Sequence, residues 1–267
     1  MADPQPYSPE KVKKLFDLSG KTAVITGGAG FLGHALAKGL TLYGADVVLS
    51  GRTQKTLDET VEEINALGGG KAVAVTCDVV DEASVDNLID KTIENFGKID
   101  IMVTVGGIAL RHPAEEFPVD DWQKVMDINV RGTWLSCQKA GKWMIDNKKP
   151  GKIITIGSVR GYAGHPGGYG AYGTSKGAVH LLTMQLATEW AKHEINVNCI
   201  APCIFWTPLT EQVLRDEKLK AIFLSRIPWG RAAIPDDVIG AAVYLASSAS
   251  DFVTGTILPV DGGTVGG

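Results

Sequence analysis

The sequence predicts an α/β fold, a single domain built on a doubly wound parallel sheet of about seven strands with helices on both faces. Three observations lead there. Short apolar runs rich in β-branched residues alternate with longer amphipathic stretches along the chain, the pattern of a parallel sheet wrapped by helices. The strand runs are almost continuously apolar, so both faces of each strand are expected to be buried. Finally, 267 residues, 45% apolar and 21% charged, suffice for one large domain with a substantial core.

Residues 21–26 (KTAVIT) read as the first strand and 31–43 as the helix after it. Residues 46–50 give the second strand, followed by a charged helix over 54–67 that ends at Gly68. The third strand covers 71–76, and the next helix, 82–96, is stopped by Gly97. A fourth strand at 99–105 leads to one long helix over 122–144. The fifth strand is 152–157, then a Gly-rich loop precedes a helix over 172–193. Residues 195–200 form the sixth strand, 236–246 a helix and 256–260 the last strand. Residues 1–14 read as a mobile N-terminal arm without an apolar signal core, leaving 15–267 as the domain. A long connection at 202–235 carries Trp206 and Trp229, and connections of that length usually serve function.

A net charge of −4 and a pI near 5.8 argue against nucleic acid or an anionic membrane as partners. No apolar run approaches the roughly 20 residues of a spanning helix. The four cysteines, Cys77, Cys137, Cys199 and Cys203, lack the spacing of a metal site or a disulfide framework. The expectation is a reduced, cytoplasmic protein that binds a small molecule and no metal.

Thr26 to Gly33 reads TGGAGFLG, directly after a strand and opening a helix. Glycines there let the backbone turn tightly and approach a pyrophosphate, whose charge sits against the helix N-terminus. This Rossmann-type turn assigns Gly27, Gly30, Phe31, Leu32 and Gly33 to a dinucleotide. At the end of the second strand there is no acid to hold ribose hydroxyls. Arg52 and Thr53 stand there instead, and a guanidinium with a hydroxyl suits a 2′-phosphate. NADP(H) is therefore favoured over NAD(H). Asp78, followed by Val79, is placed to accept from adenine or to cap the next helix, and both readings stay open.

Tyr172 and Lys176 lie one turn apart on a predicted helix. A phenol is a poor base at neutral pH, and a neighbouring ammonium is expected to lower its pKa. Ser158, at the end of the fifth strand, falls where an open parallel sheet places its ligand crevice. Tyr169 has Gly173 four residues later, lacks a lysine partner, and reads as a lining residue of the substrate pocket.

Together these residues resemble the classical short-chain dehydrogenase/reductase family, from Leu15 to nearly the end of the chain. The resemblance also includes Asp127-Ile128-Asn129-Val130, Ile156-Gly157-Ser158, Asn198 through Pro208, and Asp261-Gly262-Gly263. It implies a catalytic tetrad of Asn129, Ser158, Tyr172 and Lys176. Tyr172 would be the acid/base, and Ser158 would polarise the carbonyl. Lys176 would tune Tyr172 and bind the nicotinamide ribose, and Asn129 would hold a proton-relay water. Thr207 matches the threonine that bonds the nicotinamide carboxamide, with Pro202 and Ile204 alongside and Gly106 facing the cofactor. The family commonly forms homotetramers, and a dimer is the other expectation.

Three departures stand out. The glycine turn is spaced TGxxGxxG with Phe31 where a glycine is usual, a spacing shared with sugar-nucleotide epimerases, whose extra C-terminal domain is not expected here. The usual Asn-Asn-Ala-Gly is Thr104-Val105-Gly106-Gly107, where Thr104 is expected to imitate part of the strand-steadying role of the first asparagine. Cys203 replaces a glycine and is expected to be an inert thiol.

Arg111-His112-Pro113 and the acidic residues after it resemble the gluconate 5-dehydrogenase-like branch, which acts on sugar acids and polyols. Arg111 or His112 would hold a carboxylate. With Trp206 and Trp229 over the site, cyclic or aromatic ketones are the alternative. A 3-oxoacyl thioester, an epimerisation and a non-catalytic cofactor-binding regulator are further readings.

Overall fold

The computed structural model describes residues 8–206, 215 and 217–266. Its centre is a seven-stranded, all-parallel sheet in the order β3-β2-β1-β4-β5-β6-β7. The strands are β1 (Thr22–Thr26), β2 (Asp46–Gly51), β3 (Ala72–Thr76), β4 (Ile101–Thr104), β5 (Gly151–Ile156), β6 (Ile195–Pro202) and β7 (Ile257–Val260). Every residue of β1, β4 and β5 is buried, as their apolar runs predict.

Alternation along the strands sorts side chains into two cores. Ala23, Ile25, Val47, Leu49, Ile101, Val103 and Ile154 face one side. There they meet α2 (Phe31–Leu42), α3 (Gln54–Asn65) and α9 (Asp236–Ala246) through Leu36, Leu40, Leu57 and Val238. Val24, Val48, Met102 and Ile153 face the other side. They meet α4 (Glu82–Phe96), α6 (Gly132–Asp146) and α7 (Gly170–Trp190) through Leu88, Leu135, Met144 and Leu186. Fully burying each large aliphatic side chain is worth roughly 1.5–3 kcal/mol, so the two-sided core supplies the main driving force.

Of the remaining helices, α1 (Pro9–Lys13) is capped by Ser8 within the stretch read as an arm, and α8 (Glu217–Leu224) lies within the long 202–235 connection. Among the described residues no helix is long and apolar enough to cross a membrane.

Two local expectations are corrected. The long helix expected over 122–144 is broken into α5 (Val119–Met126), a π-helical turn at Asp127–Arg131, and α6. The widened turn carries Asn129, and such insertions often sit at functional sites. Thr104 does not take up strand-steadying hydrogen bonds with its side chain, because its buried hydroxyl has no partner.

The strand order reverses between β1 and β4, whose carboxyl ends, Thr26 and Thr104, stand side by side. In such sheets ligands bind in the crevice outside this switch point.

Candidate active site

At the β1 end, Gly27 has φ +67°, a left-handed conformation that favours glycine. A side chain on Gly27 would also press on Gly106 N at 3.0 Å, and one on Gly33 would run into the Gly27 carbonyl. The turn can therefore fold flat against the start of α2 only without side chains at these positions. Gly30 is the N-cap of α2 and offers no side chain to cap it. The N–H groups of Phe31, Leu32 and Gly33 thus lack both intrahelical and capping acceptors. They border a cleft of about 490 Å³ that is also lined by Gly27, Gly30, Arg52, Thr53, Asp78, Val79 and Gly106. This is a cradle that fits a pyrophosphate, with donors and a positive helix end facing the open side. Sequence reasoning missed other lining residues, Ala29, Thr56, Leu57, Cys77, Ile108 and Ile128 among them. Most are apolar walls that carry no motif of their own.

Thr53 is the N-cap of α3, yet its side chain makes no capping bond, and Arg52 is exposed without an ion-pair partner among the described residues. Both polar groups are free to meet a ligand at the cleft. Asp78 accepts from Val80 N at 3.2 Å, while Asp81 caps α4, so the capping alternative for Asp78 falls away.

The chemical end is assembled from three elements. Ser158 follows β5 in extended conformation, and its Oγ accepts from Arg160 N at 3.2 Å. The first turn of α7 carries Tyr172, whose phenol is buried within the influence of Ser158. Burial is the largest influence on that phenol and raises its pKa above the ordinary value, outweighing the lowering by Ser158 and Arg160. This corrects the expectation that Lys176 would lower it. Lys176 Nζ instead donates to Ile156 O at 2.7 Å and lies 5.8 Å from the centroid of the Tyr172 ring. Burial brings the Lys176 pKa down to about 8.

Asn129 is fully buried in the π-turn with both ends of its amide engaged. Its Nδ2 donates to Ile108 O and Ser175 Oγ, each at 2.9 Å, and its Oδ1 accepts from Ile108 N at 2.8 Å. It clamps the loop after β4 to α7. A side chain at Gly107 would lie 3.2 Å from Asn129 Oδ1 and 3.5 Å from Lys176 Nζ, so glycine keeps the space between them open.

His180, one turn beyond Lys176, carried no sequence signal. It packs below Ser158, accepting weakly from Ser158 N at 3.5 Å, with its ring 4.8 Å from that of Tyr162. Burial, followed by the Lys176 charge, lowers its pKa to about 4, so it stays neutral.

Around the mouth, the Arg111 guanidinium lies 4.7 Å from the Tyr169 centroid, and the Tyr169 ring is 6.1 Å from that of Tyr172. His112 is tied to Asp121 at 2.7 Å and packs edge-on against Phe117, which leaves Arg111 as the freer of the two candidates. Trp206 is exposed beside the end of β6, where its N–H bonds Ala233 O, and Ala233 N bonds Ile204 O. Pro202 ends β6; Thr207 lies outside the described residues. Cys203 is half-buried, and burial pushes its pKa up to about 11, so its thiol is unreactive at neutral pH.

The family profile described as enoyl-(acyl carrier protein) reductase matches residues 28–265. The chain is 41% identical over 255 residues to the 2-dehydro-3-deoxy-D-gluconate 5-dehydrogenase of Escherichia coli (strain K12), with 94% of this chain and 98% of that protein covered. It is 40% identical to the gluconate 5-dehydrogenase of Gluconobacter oxydans (strain 621H), with 93% and 96% covered. A solved gluconate 5-dehydrogenase from Burkholderia cenocepacia J2315, in complex with NADP and tartrate, matches with TM-score 0.90 at 35% identity, covering 96% of this chain and 99% of that one. The chain belongs to the short-chain dehydrogenase/reductase family. It is an oxidoreductase that interconverts a secondary alcohol and a ketone with a nicotinamide dinucleotide.

Proposed function

We propose that the chain acts on a sugar acid, moving a hydroxyl to a ketone and back, with NADP(H) rather than NAD(H). The observation that carries this reading is the Arg111 guanidinium stacked on Tyr169, whose ring lies 6.1 Å from that of Tyr172. The gluconate dehydrogenases among its relatives support the same substrate class.

Bound in the cleft, the nicotinamide would exchange a hydride with the substrate carbon. Tyr172 would give its phenolic proton to the oxygen that forms on reduction and take it back on oxidation. Ser158 would orient that oxygen through its hydroxyl, since the Oγ lone pair facing Arg160 N is already used. Lys176, anchored on Ile156 O, would reach the nicotinamide ribose. Asn129 would hold the relay water that returns protons from solvent.

The N–H groups at Phe31, Leu32 and Gly33 would take the pyrophosphate, Arg52 and Thr53 the 2′-phosphate, and Asp78 with Val79 the adenine. Pro202, Ile204 and Thr207 would flank the carboxamide. Arg111 would hold the sugar-acid carboxylate, with Tyr169 and Trp206 lining the pocket. A homotetramer is supported by exposed apolar residues on the long helices, Leu181 and Met184 on α7 and Trp134 on α6. A cytoplasmic location is supported by the reduced cysteines.

A panel of 2- and 5-ketosugar acids, cyclic ketones and acyl thioesters, assayed with both cofactors, tests the reading. The ketosugar acids should give the highest kcat/KM, and Tyr172→Phe should lower kcat by about 10²–10⁴-fold. A cyclic ketone or thioester turned over more efficiently than every sugar acid would overturn it.

A further inference from the structure

We propose that the mouth of the site is built for a dianionic sugar acid, one carrying a second anionic group besides its first carboxylate. Arg111 with His165 would hold one anionic group and Arg160 the other. The inference rests on the sugar-acid reading and goes further, to the charge the substrate must carry.

Its basis is an excess of cations without counter-ions. Arg111, from the loop after β4, and Arg160, from the turn after β5, approach the Tyr169 ring at 4.7 Å and 5.9 Å. Neither has an ion-pair partner among the described residues. Arg111 Nε is satisfied by Gly167 O at 2.9 Å, which fixes the guanidinium and leaves its outer nitrogens free. Asp121 is engaged with His112 and Asp237 with Arg231.

The second observation is His165. Its Nδ1 is buried and has no hydrogen-bond partner. A side chain placed on Gly167 would lie 3.7 Å from that nitrogen and 3.3 Å from an Arg111 Nη, so the two groups converge on a space that glycine leaves empty. A buried polar nitrogen without a partner costs stability, and a ligand oxygen there would satisfy it.

The electrostatics agree. Burial lowers the Arg160 pKa, and Arg226, on the turn after α8, lowers it further. Burial, then Arg160, then Arg226 lower that of His165. Arg111 and Arg160 thus both lie against the Tyr169 ring without a counter-ion among the described residues. A single carboxylate would neutralise only part of that charge, whereas a dianion would pair with two forks. The second group can be a terminal carboxylate or a phosphate ester, since a guanidinium fork matches both.

The test compares kcat/KM for 5-ketogluconate, its dicarboxylate counterpart and its 6-phosphate counterpart, with NADPH and the full chain. One or both dianions should exceed the monoanion by at least tenfold, and which one does so identifies the second group. Arg160→Gln should cut that preference tenfold or more. Arg226→Gln, an exposed site that does not bear on folding of the core, should cut it several-fold. As a readout apart from turnover, the preferred dianion should raise the Tm more than 5-ketogluconate does, and Arg160→Gln should remove the difference. Equal or better use of the monoanion, or a dianion preference that survives both variants, would overturn the inference while leaving the sugar-acid reading intact. Failure of every sugar acid alongside good turnover of an uncharged ketone would instead overturn the sugar-acid reading.

Discussion

Lys176 Nζ donates to the carbonyl of Ile156 at 2.7 Å, so the cation is fastened to the end of β5 and not to the phenol of Tyr172. It is held as a buried charge with its pKa brought from 10.5 down to about 8. The folded state therefore binds fewer protons than the unfolded state between about pH 8 and 10.5, and stability rises with pH across that window. Below pH 8 the penalty is fully present, worth roughly 3 kcal/mol, against which the lost bond to Ile156 would cost about 1–2 kcal/mol. Lys176→Met should therefore raise stability at pH 7 by about 1 kcal/mol, and the gain should shrink towards pH 10. Turnover should fall by about 10²-fold or more. Urea unfolding at three pH values with matched kinetics checks both. A variant less stable at pH 7 would show that the ammonium is not held at a cost.

The glycine turn makes a graded prediction. A side chain on Gly33 collides with the Gly27 carbonyl, whereas one on Gly30 sits 3.1 Å from the same oxygen. Overpacking of the first kind costs about 1–3 kcal/mol. Gly33→Ala should weaken NADPH binding tenfold or more and lower the Tm, with Gly30→Ala the milder of the two. Fluorescence titration of the cofactor with a parallel melt measures the ranking. Equal effects would mean that close approach of Gly33 to Gly27 does not shape the cradle.

Arg52 and the uncommitted hydroxyl of Thr53 mark the cofactor choice. A 2′-phosphate gains a charge-assisted, bidentate partner in Arg52, and an aspartate there would repel it. Arg52→Asp should lower the NADP/NAD ratio of kcat/KM by at least tenfold, mostly through the KM for NADP. An unchanged ratio would remove Arg52 from the role.

How legible the site was depends on whether a residue acts through a motif or through packing. The strands could be read because burial on both faces leaves an apolar run, and Tyr172, Lys176 and Gly33 because their spacing is local. The break at Asp127–Arg131 could not be read, because one extra residue in a helical turn leaves the surrounding helical pattern almost unchanged. The state of Tyr172 also escaped, since its pKa is dominated by burial, a property of the assembled site. Arg160 and His165 carry no sequence motif, and only the fold brings them to Tyr169 beside Arg111, which lies far away in sequence. His180 resembled any polar residue on a long helix, and only its place under Gly157 and Gly161 gives it a role.

His180 supplies the final prediction. A side chain on Gly161 would come within 2.5 Å of its ring, so the turn that presents Ser158 is laid directly on the imidazole. The ring must be neutral to accept from Ser158 N, and burial with the Lys176 charge brings its pKa from 6.5 down to about 4. The unfolded chain then binds more protons than the folded one between about pH 6.5 and 4, so stability is lost as pH falls through that window. The loss from a group shifted this way approaches about 1.4 kcal/mol per pH unit. His180→Leu should remove that slope, so wild type and variant should converge in stability between pH 6.5 and 4.5 even if the variant is weaker at pH 7. With its acceptor gone, Ser158 N would be left unpaired and the serine less well set, so kcat should fall several-fold with a smaller change in KM. Unfolding curves at half-unit pH steps decide the point. Parallel stability profiles for the two proteins would show that His180 does not carry the acid sensitivity of the site.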